Sequence, residues 1–102
     1  MTYSVRLTRR ARENIKRLYE FLLQRDKHAA KRAYSAIQRG IVSLSQFPFS
    51  CRKADLSEAG DAFLREMLIP FGDSGYVILF EIEDSTTVTI LAVRHQREDD
   101  YH

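Results

Sequence analysis

The sequence predicts a single α+β domain, residues 1–102, with elements in the order β-α-α-β-β-β. An N-terminal strand and a helical hairpin are expected to pack on a mostly antiparallel four-stranded sheet. Three observations lead there. A short alternating segment opens the chain. Two stretches with apolar residues three and four apart follow it. Three segments rich in β-branched and aromatic residues, separated by turn formers, fill the second half.

Tyr3-Ser4-Val5-Arg6-Leu7 alternates apolar and polar side chains, as a half-buried strand does. Thr8 is placed to cap the helix that follows. Ala11, Ile15, Leu18, Tyr19 and Leu22 make that helix's apolar stripe, with arginines and lysines around the rest. Arg25 to His28 breaks the pattern and reads as a turn. Ala30, Ala33, Ile37, Ile41 and Leu44 give a second stripe and complete an αα-hairpin. Gly40 interrupts this second helix at about 1 kcal/mol relative to Ala, and either permits close approach to the sheet or is neutral.

Pro48 ends the helical pattern, and Phe49 to Ala62 has no period, so it reads as a loop. Phe63 to Ile69 is the next strand, and Pro70 to Gly75 is a turn region. Gly75 to Ile82, apolar nearly throughout, belongs at the sheet's centre. After a turn at Asp84-Ser85, Thr86 to Arg94 is the last strand. The three strands form an antiparallel meander.

With 44% apolar and 11% aromatic residues in 102, a core forms without disulfide or metal staples. One cysteine, Cys51, excludes an intramolecular disulfide. No apolar leader is visible, and runs such as Tyr76 to Phe80 are too short to span a bilayer. A cytoplasmic protein without membrane contact is expected. Residues 1–53 hold 13 Lys/Arg against 3 Asp/Glu, a net charge of +10, whereas residues 54–102 hold 3 against 11, a net charge of −8. Such halves attract each other within a fold or serve separate partners.

The candidate chemistry gathers late in the chain. Arg65 lies mid-strand, where a guanidinium must be paired or exposed on the open face. Glu66 points to the opposite side by alternation. Arg94 closes the last strand, and His95, Arg97 and Tyr101 follow. Two arginines to hold phosphate, a histidine to move a proton and a tyrosine suit RNA cleavage, with Lys53 joining from the loop. The plain alternative is a strand-end cap and a solvated tail. Cys51 lacks a histidine or CxxC partner, and His28, His95 and His102 lack zinc-ligand spacing, so neither metal nor cofactor is expected.

"LREMLIPFGDSGYVILFEI" and "VTILAVRHQREDDY", within the order β-α-α-β-β-β, resemble the RelE/ParE superfamily of type II toxin–antitoxin toxins. The resemblance covers essentially the whole chain and is strongest from Leu64 to Tyr101. It looks closest to the ParE-like branch, sometimes described as plasmid stabilisation proteins. It implies a growth-arresting toxin neutralised by a cognate antitoxin. The ParE type implies inhibition of DNA gyrase without a catalytic set. The RelE type implies a ribosome-dependent mRNA endonuclease, for which Arg65, Arg94 and Tyr101 match family positions and His95 is the proton-transfer candidate. The basic loop of that branch is thin here, with Arg52 and Lys53 ahead of acidic Asp55, Glu58 and Asp61. A toxin acting on gyrase is therefore the expectation. An mRNA endonuclease and a non-toxic interaction module are the alternatives. Arg65, Arg94, Arg97, Arg52 and Lys53 are the candidate contacts for antitoxin or target.

Overall fold

The computed structural model describes residues 2–54 and 64–97. The elements are β1 (Ser4–Leu7), α1 (Arg9–Leu23), α2 (Lys27–Leu44), a single 3₁₀ turn (Pro48–Ser50), β2 (Arg52–Lys53), β3 (Leu64–Phe71), β4 (Ser74–Ile82) and β5 (Thr87–His95). They form one five-stranded sheet in the order β1-β5-β4-β3-β2, with α1 and α2 on one face. β1 runs parallel to β5, and the other neighbours are antiparallel.

The expected α+β class and element order hold, but the sheet has five strands where four were expected. The extra strand is β2, within the stretch read as a loop. It is two residues long and both are charged, too short for alternation to register. Its pairing comes from β3 instead, with Arg52 opposite Glu66 and Lys53 opposite Arg65. The turn expected over Pro70 to Gly75 shrinks to Gly72-Asp73. Phe71 pairs with Ser74 and Pro70 with Gly75, and Gly72 takes the positive φ of 62° that such a two-residue hairpin needs at its first position. Pro70 fits there because β2 pairs only with the start of β3, leaving that edge without a partner strand among the described residues. Lys27 and His28, read as turn, lie inside α2. Asp26 caps it by accepting the backbone N–H groups of His28 and Ala29 at 3.0 and 3.1 Å. The Ala29 N–H above all holds the Asp26 carboxyl below its usual range.

α1 is tied to the sheet edge by side chains. Thr8 accepts the Ala11 N–H at 3.1 Å, and its hydroxyl donates to the Leu91 carbonyl at 3.0 Å. β1 stops at Leu7 opposite Ile90, so beyond that point β5 keeps β4 on one side and, among the described residues, has no strand on the other. There the buried Asn14 of α1 accepts the Val93 N–H at 3.0 Å. A polar residue in the apolar stripe thus satisfies a backbone donor that would otherwise be buried alone.

The core lies between the helices and the sheet. Phe80, Ile78, Ile90 and Val88 are fully buried against Ala11, Ile37 and Leu44. Gly40 is where α2 comes closest to β3. A Cβ there would collide with the Cδ1 methyl of Ile69 and sit 3.3 Å from the Met67 sulfur. Of the two readings of Gly40, the structure selects close approach.

Candidate functional site

Strand alternation divides the candidate residues between the two faces of the sheet. Cross-strand partners share a face. The rows Ile69–Tyr76–His95, Met67–Ile78–Val93 and Arg65–Phe80 face the helices. The rows Leu68–Val77–Arg94 and Glu66–Leu79–Ala92 face the other way.

The face turned away from the helices is not open as expected: Val77, Leu79 and Ala92 are buried there, and Glu66 is only 6% exposed. Its carboxylate meets two guanidiniums, Arg52 at 3.7 Å and Arg94 at 3.9 Å. Arg94 lies on β5 and Glu66 on β3, so the arginine reaches across β4. Its Nη1 also donates to the carbonyls of His95 and Gln96, each at 3.2 Å. Arg94 therefore closes the end of β5 and neutralises a buried acid. In the sequence, alternation marks Glu66 only as a non-partner of Arg65. The signal was present, since a single acid inside an apolar strand needs a cation.

Arg65 is on the helix-facing side. Its Nη1 donates to the Cys51 carbonyl at 2.7 Å, and its guanidinium carbon sits 5.2 Å from the centre of the Phe49 ring. It is paired, as expected, but by a backbone carbonyl and a ring, and it does not face the open side. Lys53, opposite Arg65, is exposed, as is Arg52. Phe47 and Phe49 beside them expose 63% and 62% of their surface. Burial raises the Cys51 thiol above its usual range, which leaves it protonated and a poor nucleophile.

His95 lies at the other end of the sheet, edge-on to Tyr76 with ring centroids 5.6 Å apart. Its Nδ1 accepts the Arg97 N–H at 3.2 Å, and its Nε2 lies 3.0 Å from the Ser74 hydroxyl. With Nδ1 an acceptor, the neutral ring carries its proton on Nε2 and donates it to Ser74. Around this pair opens a cleft of about 570 Å³ between α1 and the β3–β4 turn. Leu18, Phe21 and Phe71 supply apolar walls, and Arg17 and Arg97 are basic side chains of the lining. Arg17, Phe21 and Ser74 were not candidates from sequence, because only the fold brings α1 beside the hairpin.

Arg65, Arg94 and His95 thus do not converge. Arg65 and Arg94 lie on opposite faces, and His95 sits at the far end of the sheet from Arg65. Tyr101, the acids Asp55, Glu58 and Asp61, Phe63 and His102 lie outside the described residues. Among the described residues, no group of three His, Cys, Asp or Glu side chains is placed to hold a metal ion, and no helix is long and apolar enough to cross a membrane.

Comparison with known proteins agrees with this architecture. Two solved toxin–antitoxin structures share the fold. One is described as the chromosomal ParDE system from P. aeruginosa, with a TM-score of 0.71, 15% identity, and coverage of 92% of this chain and 96% of that one. The other is the RelBE2 complex of Mycobacterium tuberculosis, with a TM-score of 0.59, 25% identity, and coverage of 93% and 99%. Two Caulobacter vibrioides proteins, Toxin RelE1 and Toxin RelE3, are each 33% identical to it. They align over 84% and 93% of this chain and over 86% and 96% of their own lengths. Residues 5–100 match the family described as the ParE toxin of the type II toxin–antitoxin system parDE. The chain belongs to that ParE toxin family.

Proposed function

We propose that this chain arrests growth in the cytoplasm by inhibiting DNA gyrase, without a catalytic site of its own, and that a cognate antitoxin neutralises it. The separation of Arg65, Arg94 and His95 supports this reading most. An RNA-cleaving site needs its base, its acid and its phosphate-holding cations around one scissile phosphate. Here Arg94 is engaged by Glu66 and by the end of its own strand, and Arg65 is held by Cys51 on the opposite face. Binding a protein target needs only surface. The exposed Phe47, Phe49, Arg52 and Lys53 supply apolar area and charge at one end of the molecule. In this reading Arg65, Arg52, Lys53, Arg94 and Arg97 contribute through partner contacts or through holding the sheet.

The mRNA endonuclease remains the second reading, favoured by the names of the two Caulobacter relatives. The purified chain, freed of antitoxin, separates the two in parallel assays. Plasmid supercoiling by gyrase is scored for trapped linear DNA, and programmed ribosomes are scored for cut mRNA. Gyrase inhibition with intact mRNA is the expected result. Cut mRNA with normal supercoiling would overturn it and make Arg65, Arg94, His95 and Tyr101 the residues to mutate. Activity in neither assay, with no growth arrest on expression, would leave a non-toxic interaction module.

A further inference from the structure

We propose that the groove between α2 and the β3–β4 turn holds the phosphate backbone of duplex DNA, with Lys31, Arg32 and Arg39 on the phosphates. The choice of a polyanion rests on the groove itself. The choice of DNA rests on the gyrase reading above, since that target works on a DNA duplex.

The groove encloses about 660 Å³. Lys31, Arg32, Ser35 and Arg39 line it from α2, Phe71 and Gly72 line it from the turn, and no acid is in the lining. Arg32, Ser35 and Arg39 are three and four residues apart, so they follow one another along one face of the helix. At 1.5 Å per residue, Arg32 and Arg39 stand about 10 Å apart along the axis, roughly three base-pair steps of a duplex. α2 has 18 residues, four of them Lys or Arg and none Asp or Glu. Its first turn, where acids would stabilise a helix, carries Lys27 and His28 instead. That placement works against the helix and in favour of an anionic ligand.

Other arginines are engaged within the fold. Arg9 pairs with Glu13, Arg25 lies over the Phe21 ring, Arg65 donates to Cys51, and Arg52 and Arg94 flank Glu66. Lys31, Arg32 and Arg39 are exposed and, among the described residues, form no salt bridge, although Asp26 at the N-cap offsets Arg32 in part. An acidic peptide fits this groove less well than a duplex. A peptide gains most from seating an apolar anchor, and the ring in the lining, Phe71, is half-buried and packed on Tyr76 with centroids 5.9 Å apart. Single strands stack their bases on exposed rings and are disfavoured for the same reason. A duplex backbone needs only cations at intervals.

The full chain, freed of antitoxin, is titrated against labelled short DNA duplexes of unrelated sequence over a range of salt. Lys31→Ala, Arg32→Ala, Arg39→Ala and the triple variant are compared with Arg9→Ala, which removes an exposed charge outside the groove. Melting curves confirm that each variant folds, and gyrase supercoiling and antitoxin binding are measured with the same proteins. The expected result is equal affinity for the unrelated duplexes. The slope of log affinity against log salt is at least about −2.7, for three phosphates at about −0.9 each. Each single groove variant loses about 0.9 of that slope, the triple variant loses binding and traps less linear DNA with gyrase, and Arg9→Ala changes little. Equal losses from Arg9→Ala would reduce the effect to general charge and overturn the groove. A wild-type chain that inhibits gyrase but holds no duplex at low salt would overturn the proposal and keep the gyrase reading. Duplex binding lost in the triple variant, with no inhibition of gyrase by the wild-type chain, would keep the groove and defeat that reading. Tighter binding of an RNA duplex would reassign the groove to RNA. Loss of antitoxin binding without loss of DNA binding would assign it to an acidic protein, and in either case the proposal would fail.

Discussion

The helix-covered face and the one opposite are made by the same three central strands, and their side chains solve different problems. Under the helices, Phe80, Ile78 and Ile90 meet the apolar stripes of α1 and α2, and stability comes from area removed from water. On the face turned away from the helices, expected to be open, Val77, Leu79 and Ala92 are equally buried, yet Glu66 and Arg94 lie in the same rows. One face is held by non-directional burial. The other depends on a charge whose partner must be in place, because an acid as buried as Glu66 is tolerable only beside its cations. The same two-residue alternation therefore produces a face that tolerates conservative apolar exchange and a face that does not tolerate the loss of one charge.

The largest expected effect breaks the covered face. Phe80→Ala opens a cavity in the middle of the core and lowers stability by about 4 kcal/mol in chemical denaturation. A loss under about 1 kcal/mol would mean that the helices collapse onto the sheet to refill the space. Next comes the opposite face. Glu66→Ala removes the carboxylate that neutralises Arg94 and lowers stability by about 2 kcal/mol, whereas Glu66→Met combined with Arg94→Met recovers most of that loss. Equal stability of the single and double variants would show that the pair is not what holds this face. The smallest effect tests the wet end of the same network. The Arg52 side chain is 60% exposed, so Arg52→Ala lowers stability by roughly 0.5 kcal/mol, and less at high salt. A loss as large as that of Glu66→Ala would move the anchor of the network from Arg94 to Arg52.

Much of the fold was legible because it rests on period. Ala11, Ile15 and Leu18 fall on one helix face whatever they pack against, and Thr8 caps the helix through local geometry alone. β4 declared itself by a continuous apolar run, and its central place in the sheet followed. β2 did not, because two charged residues carry no period, and its strand character exists only through hydrogen bonds to β3. The candidate site was legible as a set of residue types and not as a constellation. Arg65 and Arg94 each need a partner by charge alone, but which face each occupies depends on register.

Chain order and hydrophobic spacing by themselves determined the α+β class, the helical hairpin, the meander and the need to neutralise the buried charges. These follow from local sterics and from the repeats of helix and strand. Only the tertiary structure decided that Arg94 answers Glu66 across β4, that Arg65 turns to Cys51 on the other face, and that Arg17 comes beside His95 and Ser74 to form the cleft. Those outcomes depend on which strands become neighbours and in what register. A one-residue slip would move every side chain of a strand to the opposite face, and nothing local to a strand prevents that slip.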